Sequence, residues 1–417
     1  MVKKTLFFTI FFVSCSTSLI KKTDVLLPFQ PIAIPESKLI FCKSWEKSLN
    51  AQLTGLTFSR NGKRILVSTT QEQNSVRNLH SKIQFLNEDG KSLWSHFLQL
   101  PVKSLALSED SHWISISTYE DSLEFFNQSG KKIWEKPGLG KPFILSDDQK
   151  VLFFNDDDAD PQTAFVLYDF KGKKAKEVMV SSNHFLEPLE IFLSENKKQV
   201  SVSMPQGLLS IYDLEGTLLT QKQIQGEILA ALLDSSESLT LQRSTENHQG
   251  ASLWVYILSY GFEKTKQQNI SAFKFENNIW SQGWTQNLKF SFETMKMGKN
   301  VLYLYGNSHQ GQVIAAYDIH TGKEKWLHSY PNAALYSSNL VTYQNKEKVM
   351  ALLETGDSTG QVHAIGLDEH GKAQWDLSLE APDGVYAYSI SEDGNTLVIG
   401  TGEPGSSILK YFKTQCP

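Results

Sequence analysis

The apolar positions of this chain come in short stretches broken by polar turns, with no sustained helical stripe. Segments such as Trp113-Ile114-Ser115-Ile116-Ser117 alternate at period two, the spacing of a β-strand whose successive side chains point to opposite faces. Two turn signals recur between such stretches. The shorter is a strand, a polar turn and a second strand, as in Thr57-Phe58-Ser59-Arg60-Asn61-Gly62 and Ala106-Leu107-Ser108-Glu109-Asp110. It returns at Ile144-Leu145-Ser146-Asp147-Asp148, Phe192-Leu193-Ser194-Glu195-Asn196 and Ser389-Ile390-Ser391-Glu392-Asp393-Gly394. The longer is an apolar strand, Asn or Asp, a turn closed by Gly, then an apolar residue and Trp. It spans residues 83–94, 123–134, 317–326 and 367–375, with copies lacking the Trp at 168–172 and 212–216. In this phrase Asn or Asp accepts local backbone hydrogen bonds and Gly takes the positive φ of a hairpin turn. The Trp then offers a broad face for packing against a neighbouring unit.

Each unit therefore predicts four short antiparallel strands, one blade of an all-β propeller. Units start near Leu56, Leu105, Phe143, Ile191, Leu229, Phe290, Val341 and Tyr386, which makes eight blades. Gly90 to Gly130 is 40 residues, to Gly172 another 42 and to Gly216 another 44, but Gly261 to Gly322 is 61. That gap predicts an insertion between Phe262 and Lys289, and seven blades with an insertion stay open as the alternative.

The last unit holds three strands, at 385–390, 396–400 and 407–412, so its fourth must come from elsewhere. Ile40-Phe41-Cys42-Lys43-Ser44-Trp45-Glu46-Lys47 resembles the tail of the longer phrase, as in Lys132-Ile133-Trp134-Glu135-Lys136. The N-terminal strand is expected to complete the C-terminal blade and close the ring, which leaves no free sheet edge between the termini. Setting Trp45 on Trp134, and Tyr411-Phe412-Lys413 on Phe125-Phe126-Asn127, brings Cys42 and Cys416 to the same corner, within disulfide reach.

Ahead of the ring, Lys3 and Lys4 precede an apolar run over 6–13 and then Ser14-Cys15-Ser16. Charge, a short apolar helix and small residues make an export signal, and the run is too short to span a bilayer of roughly 30 Å. Residues 1–14 are expected to be the signal peptide, 15–37 a tether kept extended by Pro28, Pro31 and Pro35, and 38–417 one propeller domain. An exported protein meets an oxidising compartment, which favours the Cys42–Cys416 pairing.

Composition narrows the function classes. Forty Lys and Arg against 45 Asp and Glu leave a net charge of −5 with no basic tail. Nucleic-acid binding is disfavoured, because the phosphate backbone demands clustered cations. Asp156, Asp157, Asp158 and Asp160 form the sharpest polar cluster, but the glycine and distal glutamate of a calcium loop are missing. The cluster is a solvated loop and a candidate contact surface between the second and third strands of a blade. The ten histidines are scattered, and His309, His320, His328, His363 and His370 fall mostly in predicted turns. No metal site, phosphate loop or nucleophile elbow is expected.

Two resemblances extend this reading. Phe12-Val13-Ser14-Cys15 resembles the lipobox of bacterial lipoproteins, with Phe12 where leucine is usual; an ordinary cleaved signal is the alternative. The resemblance implies acylation of Cys15, and Ser16 after it suggests outer-membrane sorting. Ala315-Ala316-Tyr317-Asp318-Ile319-His320-Thr321-Gly322-Lys323-Glu324-Lys325-Trp326 is similar to the tryptophan-docking repeat of quinoprotein-type propellers, while the Ser-x-Asp turns resemble WD40-type repeats. Export signal, lipobox and ring together resemble the BamB-type lipoproteins of outer-membrane assembly. That implies a periplasm-facing scaffold that binds another envelope protein and helps outer-membrane proteins to be assembled; a monomer is expected, and with no vicinal cysteine pair or tryptophan platform of a quinone site in the sequence, no cofactor and no catalytic residues are expected. The rival reading is an exported propeller that binds or processes a small molecule or glycan in its central funnel.

Overall fold

The computed structural model describes residues 40–414 apart from 73–78, 120–121, 139, 146–148, 155–162, 180–189, 195–196, 205–206, 236–251, 261–266, 309–310, 332, 335–339, 356–360, 382–383 and 404–405. Every regular element among the described residues is a β-strand, and the strands form eight antiparallel sheets. Blade 1 runs through Gln52–Phe58, Arg64–Glu72, Leu79–Asn87 and Ser92–Leu98 in order from inner to outer strand. Blade 2 follows with Val102–Leu107, Trp113–Thr118, Ser122–Asn127 and Lys132–Pro137. Blade 3 is Lys141–Leu145, Lys150–Phe154, Thr163–Asp169 and Lys174–Met179. Blade 4 is Glu190–Leu193, Gln199–Ser203, Leu208–Asp213 and Leu218–Gln223. Blade 5 is Glu227–Ser235, Ser252–Tyr260, Gln268–Glu276 and Ile279–Asn287. Blade 6 is Ser291–Met297, Val301–Ser308, Gly311–Asp318 and Glu324–Pro331. In blade 7 the inner position is split between Ala333–Ala334 and Val341–Tyr343, both paired with Lys348–Thr355; Gln361–Asp368 and Ala373–Glu380 complete it.

Neighbouring inner strands pack on one another, and that of blade 1 touches both blade 2 and blade 8. The sheets thus close into an eight-bladed propeller, and the seven-blade alternative falls. The insertion expected between Phe262 and Lys289 is also corrected, because that stretch holds two regular strands of blade 5. Their turn uses Asn277 and Asn278, both at positive φ (51° and 61°), in place of glycine. Counting glycines therefore slipped from this turn to Gly261, which falls between the second and third strands. The extra length lies in residues 236–251, between the first and second strands.

The period-two alternation has a different meaning in the middle strands than on a half-exposed sheet. Ser115 and Ser117 are as buried as Ile114 and Ile116. A blade is covered on both faces by its neighbours, so small residues alternate with large ones to fit the narrowing wedge. Outer strands keep the ordinary in-and-out pattern, as in Lys132–Pro137.

One device joins the blades. Every outer strand carries a register shift within its pairing to the strand inside it, for example between Phe85 and Leu86 and between Ala316 and Tyr317. A bulge re-aims the next side chain. In six blades that side chain is Trp: Trp45, Trp94, Trp134, Trp284, Trp326 and Trp375; Lys176 and Thr220 replace it in blades 3 and 4. Trp94 donates its indole N–H to the Gln128 carbonyl of blade 2 at 2.9 Å, and Trp326 donates to Glu369 of blade 7 at 3.0 Å. The ring lies on the turn glycine of the next blade. A Cβ on Gly322 would sit 2.4 Å from Trp284, and its φ is +68°. Gly322→Ala combines that overlap with a left-handed conformation costing about 1–2 kcal/mol by itself. A loss of about 2 kcal/mol or more in urea unfolding is expected, and no change would show that the indole does not bear on this turn.

The ring closes as the repeat alignment predicts. Cys42–Ser48 pairs with Ser406–Lys413, which pairs in turn with Thr396–Glu403 and Val385–Ile390. Trp45 lies opposite Tyr411 as Trp134 lies opposite Phe125. It stacks on Tyr411 at 5.0 Å and donates to the Glu88 carbonyl of blade 1 at 2.8 Å. Tyr411 donates its hydroxyl to the Gly62 carbonyl at 3.1 Å. The closing blade is thus held to blade 1 from both chain ends.

Candidate functional site

The turns between first and second strands converge at one end of the ring axis. In blades 1, 2 and 8 they share one local design. Ser59 Oγ accepts the Arg64 amide at 2.9 Å, Ser108 Oγ the Trp113 amide at 2.9 Å and Ser391 Oγ the Thr396 amide at 3.0 Å. Each serine donates to the residue two further on, Asn61, Asp110 or Asp393. Such side-chain-to-backbone bonds fix the turn and leave the residue after the serine free of turn duties. Those residues are Arg60, Glu109 and Glu392. Burial pushes Asp393 up, yet the bonds from Ser391 and Asn395 outweigh it and hold the carboxyl below its usual range. Asp110 behaves alike: burial raises it, and bonds from Ser108 and His112 bring it lower.

Blade 7 contributes a different turn. Gln344, Asn345 and Lys346 all lie at positive φ (50°, 52° and 65°). The Gln344 amide donates to the Glu392 carbonyl at 2.6 Å, and the Gln344 side chain donates to the Asp393 carbonyl at 2.9 Å. The Glu392 amide donates to Arg60 O at 3.0 Å, and the Lys299 amide of blade 6 donates to Lys346 O at 3.0 Å. Blades 6, 7, 8 and 1 are therefore stitched turn to turn by backbone bonds.

Beyond blade 1 the stitching passes to ion pairs. Arg60 reaches Glu392 at 3.4 Å on one side and Glu109 at 3.3 Å on the other, and Glu109 also receives Lys197 of blade 4. The Lys197 bond, against burial and with the charges of Lys197 and Arg60, holds Glu109 below the usual carboxylate range. About half of each side chain stays exposed, so each pair contributes about 0–1 kcal/mol and positions charge more than it stabilises the fold. Arg60, Asn61, Glu109, Gln344, Asn345, Glu392 and Asp393 line a cavity of about 610 Å³, with three carboxylates to one guanidinium.

A depressed carboxyl contributes stability above its unfolded pKa and loses it as pH falls through the folded value. The stability difference between the wild-type chain and Glu109→Gln should therefore be present at neutral pH, at about 1 kcal/mol or less, and vanish below about pH 4. A difference that grows on acidification would contradict the pairing.

The residues singled out in the sequence lie elsewhere. Cys42 begins the outer strand of blade 8, opposite Lys413; Cys15 and Cys416 lie outside the described residues. So do Asp156, Asp157, Asp158 and Asp160, which connect the second and third strands of blade 3 as expected.

The histidine expectation needs correction, since His328 and His363 stand on strands. His328 contacts Gly371 O at 2.8 Å beneath Trp326, and His96 contacts Gly130 O at 2.6 Å beneath Trp94. These histidines two residues past the Trp belong to the blade-docking device. His320 and His370 are in turns as expected; His309 lies outside the described residues. Among the described residues no three His, Cys, Asp or Glu side chains are grouped to hold a metal ion. The cavity residues of blades 1, 2 and 8 sit inside the recurrent Ser-x-Asp/Asn turns, where sequence alone read them as turn formers. Nothing local marks Lys197, Gln344 or Asn345.

No family model matches the sequence, and neither does any curated protein. Among solved structures, the chain is similar to the crystal structure of BamB from Moraxella catarrhalis. The TM-score is 0.51 at 13% identity, covering 90% of this chain and 98% of that one. It is also similar to the C-terminal WD40 domain of Sif2, with a TM-score of 0.58 at 11% identity, covering 91% of this chain and 99% of that one. At such identity the likeness speaks for the fold, and it spans nearly the whole of both neighbours: the chain is an eight-bladed β-propeller of the kind that BamB and the WD40 domain resemble.

Proposed function

We propose that this chain is a non-enzymatic, lipid-anchored scaffold that binds another protein of the cell envelope through the polar cavity at the ring axis. The observation that carries the reading is the convergence of Arg60, Glu109, Gln344, Asn345, Glu392 and Asp393 from four blades onto one face. Pre-positioned charges of both signs on rigid turns suit recognition and steering of a partner. The likeness to BamB supports an envelope location, and the similarity of 12–15 to a lipobox supports anchoring through Cys15, with 1–14 removed and 15–37 as tether. Several acyl chains bury enough CH₂ groups, at about 0.8 kcal/mol each, for stable anchoring without a membrane helix. An outer-membrane position facing the periplasm, and a part in assembling outer-membrane proteins, complete the proposal. The loop with Asp156, Asp157, Asp158 and Asp160 is a second candidate contact.

The test is cross-linking and affinity capture in mild detergent, with wild type beside an Arg60→Ala/Glu392→Gln variant, together with the outer-membrane protein profile of a deletion strain. Capture of one envelope protein, weakened in the variant, is expected. An unchanged envelope with no protein captured would overturn the reading. Cys15→Ser should abolish labelling by a palmitate analogue and release the chain from the membrane.

A further inference from the structure

Blade 5 carries a longer outer hairpin than the rest of the ring. In the six other blades whose third and fourth strands are joined by a turn, the ladder ends one pair beyond the bulge, as at Leu86 and Ser92. In blade 5 it continues from Phe273 and Gln282 through Lys274–Ser281, Phe275–Trp280 and Glu276–Ile279 to the turn at Asn277 and Asn278. Because neighbouring strands are antiparallel, third-to-fourth turns share the end of the ring with first-to-second turns, the end that holds the cavity. The hairpin is firmly held there. Trp280 donates its indole N–H to Thr220 Oγ1 at 2.9 Å and to the Gln221 carbonyl at 3.0 Å, and its ring meets that of Phe275 at 5.1 Å. Lys222 of blade 4 lies over the Phe273 ring at 4.5 Å and the Trp280 ring at 5.3 Å.

The outer edge of this hairpin is unguarded. An edge strand presents unpaired N–H and C=O groups, and proteins usually discourage a second strand there with charge or proline. Six of the other seven outer strands carry Lys, Asp or Glu. The seventh, Ser92–Leu98, has Lys82 of the adjacent strand lying over its exposed Phe97 at 5.5 Å. From Asn277 to Leu288 blade 5 has no charged residue and no proline. Lys274 and Glu276 of the strand inside it neutralise one another at 2.8 Å. Ile279 is 68% exposed at the tip, and Ser281 and Gln282 are exposed beside it. Among the described residues no strand pairs with this edge.

We propose that the stretch Ile279–Gln282, ahead of the bulge at Gly283, takes an added β-strand: an extended, uncharged segment of the partner protein. Main-chain hydrogen bonds supply the affinity in such an addition, and an edge already fixed by Trp280 loses little freedom on binding. An uncharged edge also lets the added strand approach without stripping water from an ion. The identification of the occupant as part of a partner protein rests on the scaffold reading; the edge itself is distinct from the axial cavity.

The test is fluorescence anisotropy of the full chain with a fluorescein-labelled Thr-Val-Thr-Val-Thr-Val peptide, beside the same peptide N-methylated at alternate residues. N-methylation removes ladder donors and leaves the side chains, so it separates strand addition from mere apolar adhesion. Saturable binding of the unmethylated peptide alone is expected, with the amides of 279–282 gaining protection in hydrogen exchange. Ile279→Lys and Gln282→Lys, both at exposed positions, should each weaken it about fivefold or more. The Arg60→Ala/Glu392→Gln variant should bind the peptide as wild type does, so a failure at the axial cavity and a failure at this edge are separate results. No binding, equal binding of the methylated peptide, or undiminished binding in both lysine variants would overturn the proposal.

Discussion

Replacing Trp375 by alanine is expected to cost about 4–5 kcal/mol, the sum of a large cavity and one broken buried hydrogen bond. Trp375 is 1% exposed and meets the Phe41 ring edge-on at 4.9 Å. Its indole N–H donates to the Tyr343 hydroxyl at 3.0 Å, and it fits over Gly366, where a Cβ would come within 2.3 Å. Its position explains why it differs from the other docking tryptophans. In blade 8 the third and fourth strands come from opposite chain ends, so no turn glycine is available at the junction with blade 7. Phe41, just ahead of the N-terminal strand, takes that place. The variant should therefore loosen the closing blade first. Urea unfolding gives the magnitude, and hydrogen exchange should show the amides of 42–48 and 406–413 losing protection before those of blade 2. A loss below about 2 kcal/mol, closer to a half-exposed site, would mean that Phe41 does not rely on this indole.

The second large effect concerns the proposed Cys42–Cys416 disulfide. Cys42 pairs in register with Lys413, and Cys416 follows three residues later, so the bond would lie just beyond the last rung of the closing ladder. It would make a covalent loop of nearly the whole propeller, for which loop-closure entropy sets a ceiling of about 6 kcal/mol, with about 2–5 usual for native bonds in secreted domains. Cys42→Ser and Cys416→Ser should each lose the same amount, and the double variant no more than either. Residues that act as one unit do not add. An unreduced digest should yield the two cysteine peptides joined. Additive losses, or a wild type whose unfolding midpoint ignores reductant, would refute the bond.

Both effects lie at the seam, and the seam was legible in the sequence. The likeness of residues 40–47 to the repeat tail assigned the N-terminal strand to the last blade, and the structure pairs Trp45 with Tyr411 as Trp134 pairs with Phe125, because a hairpin phrase carries its register with it. Where glycine marked the turn, as at Gly90, Gly130 and Gly322, blades could be counted. Where Asn277 and Asn278 supplied the positive φ, the count slipped to Gly261 and placed the extra length wrongly. Trp280 shows another limit. It docks backward, donating to Thr220 Oγ1 of blade 4 at 2.9 Å, because blade 4 has no docking tryptophan of its own. No local pattern signals that reversal.

What the sequence by itself determined are the short-range features: strands, turns and the turn-and-Trp phrase, with the number of units left between seven and eight. These follow from φ/ψ preferences and side-chain spacing within about a dozen residues. Only the tertiary structure decided what faces the axis. Arg60, Glu109, Lys197 and Glu392 are separated by as much as 332 residues and meet because eight wedges return the chain to its start. A hairpin's code is local; convergence on an axis depends on every blade between, and no single segment carries it.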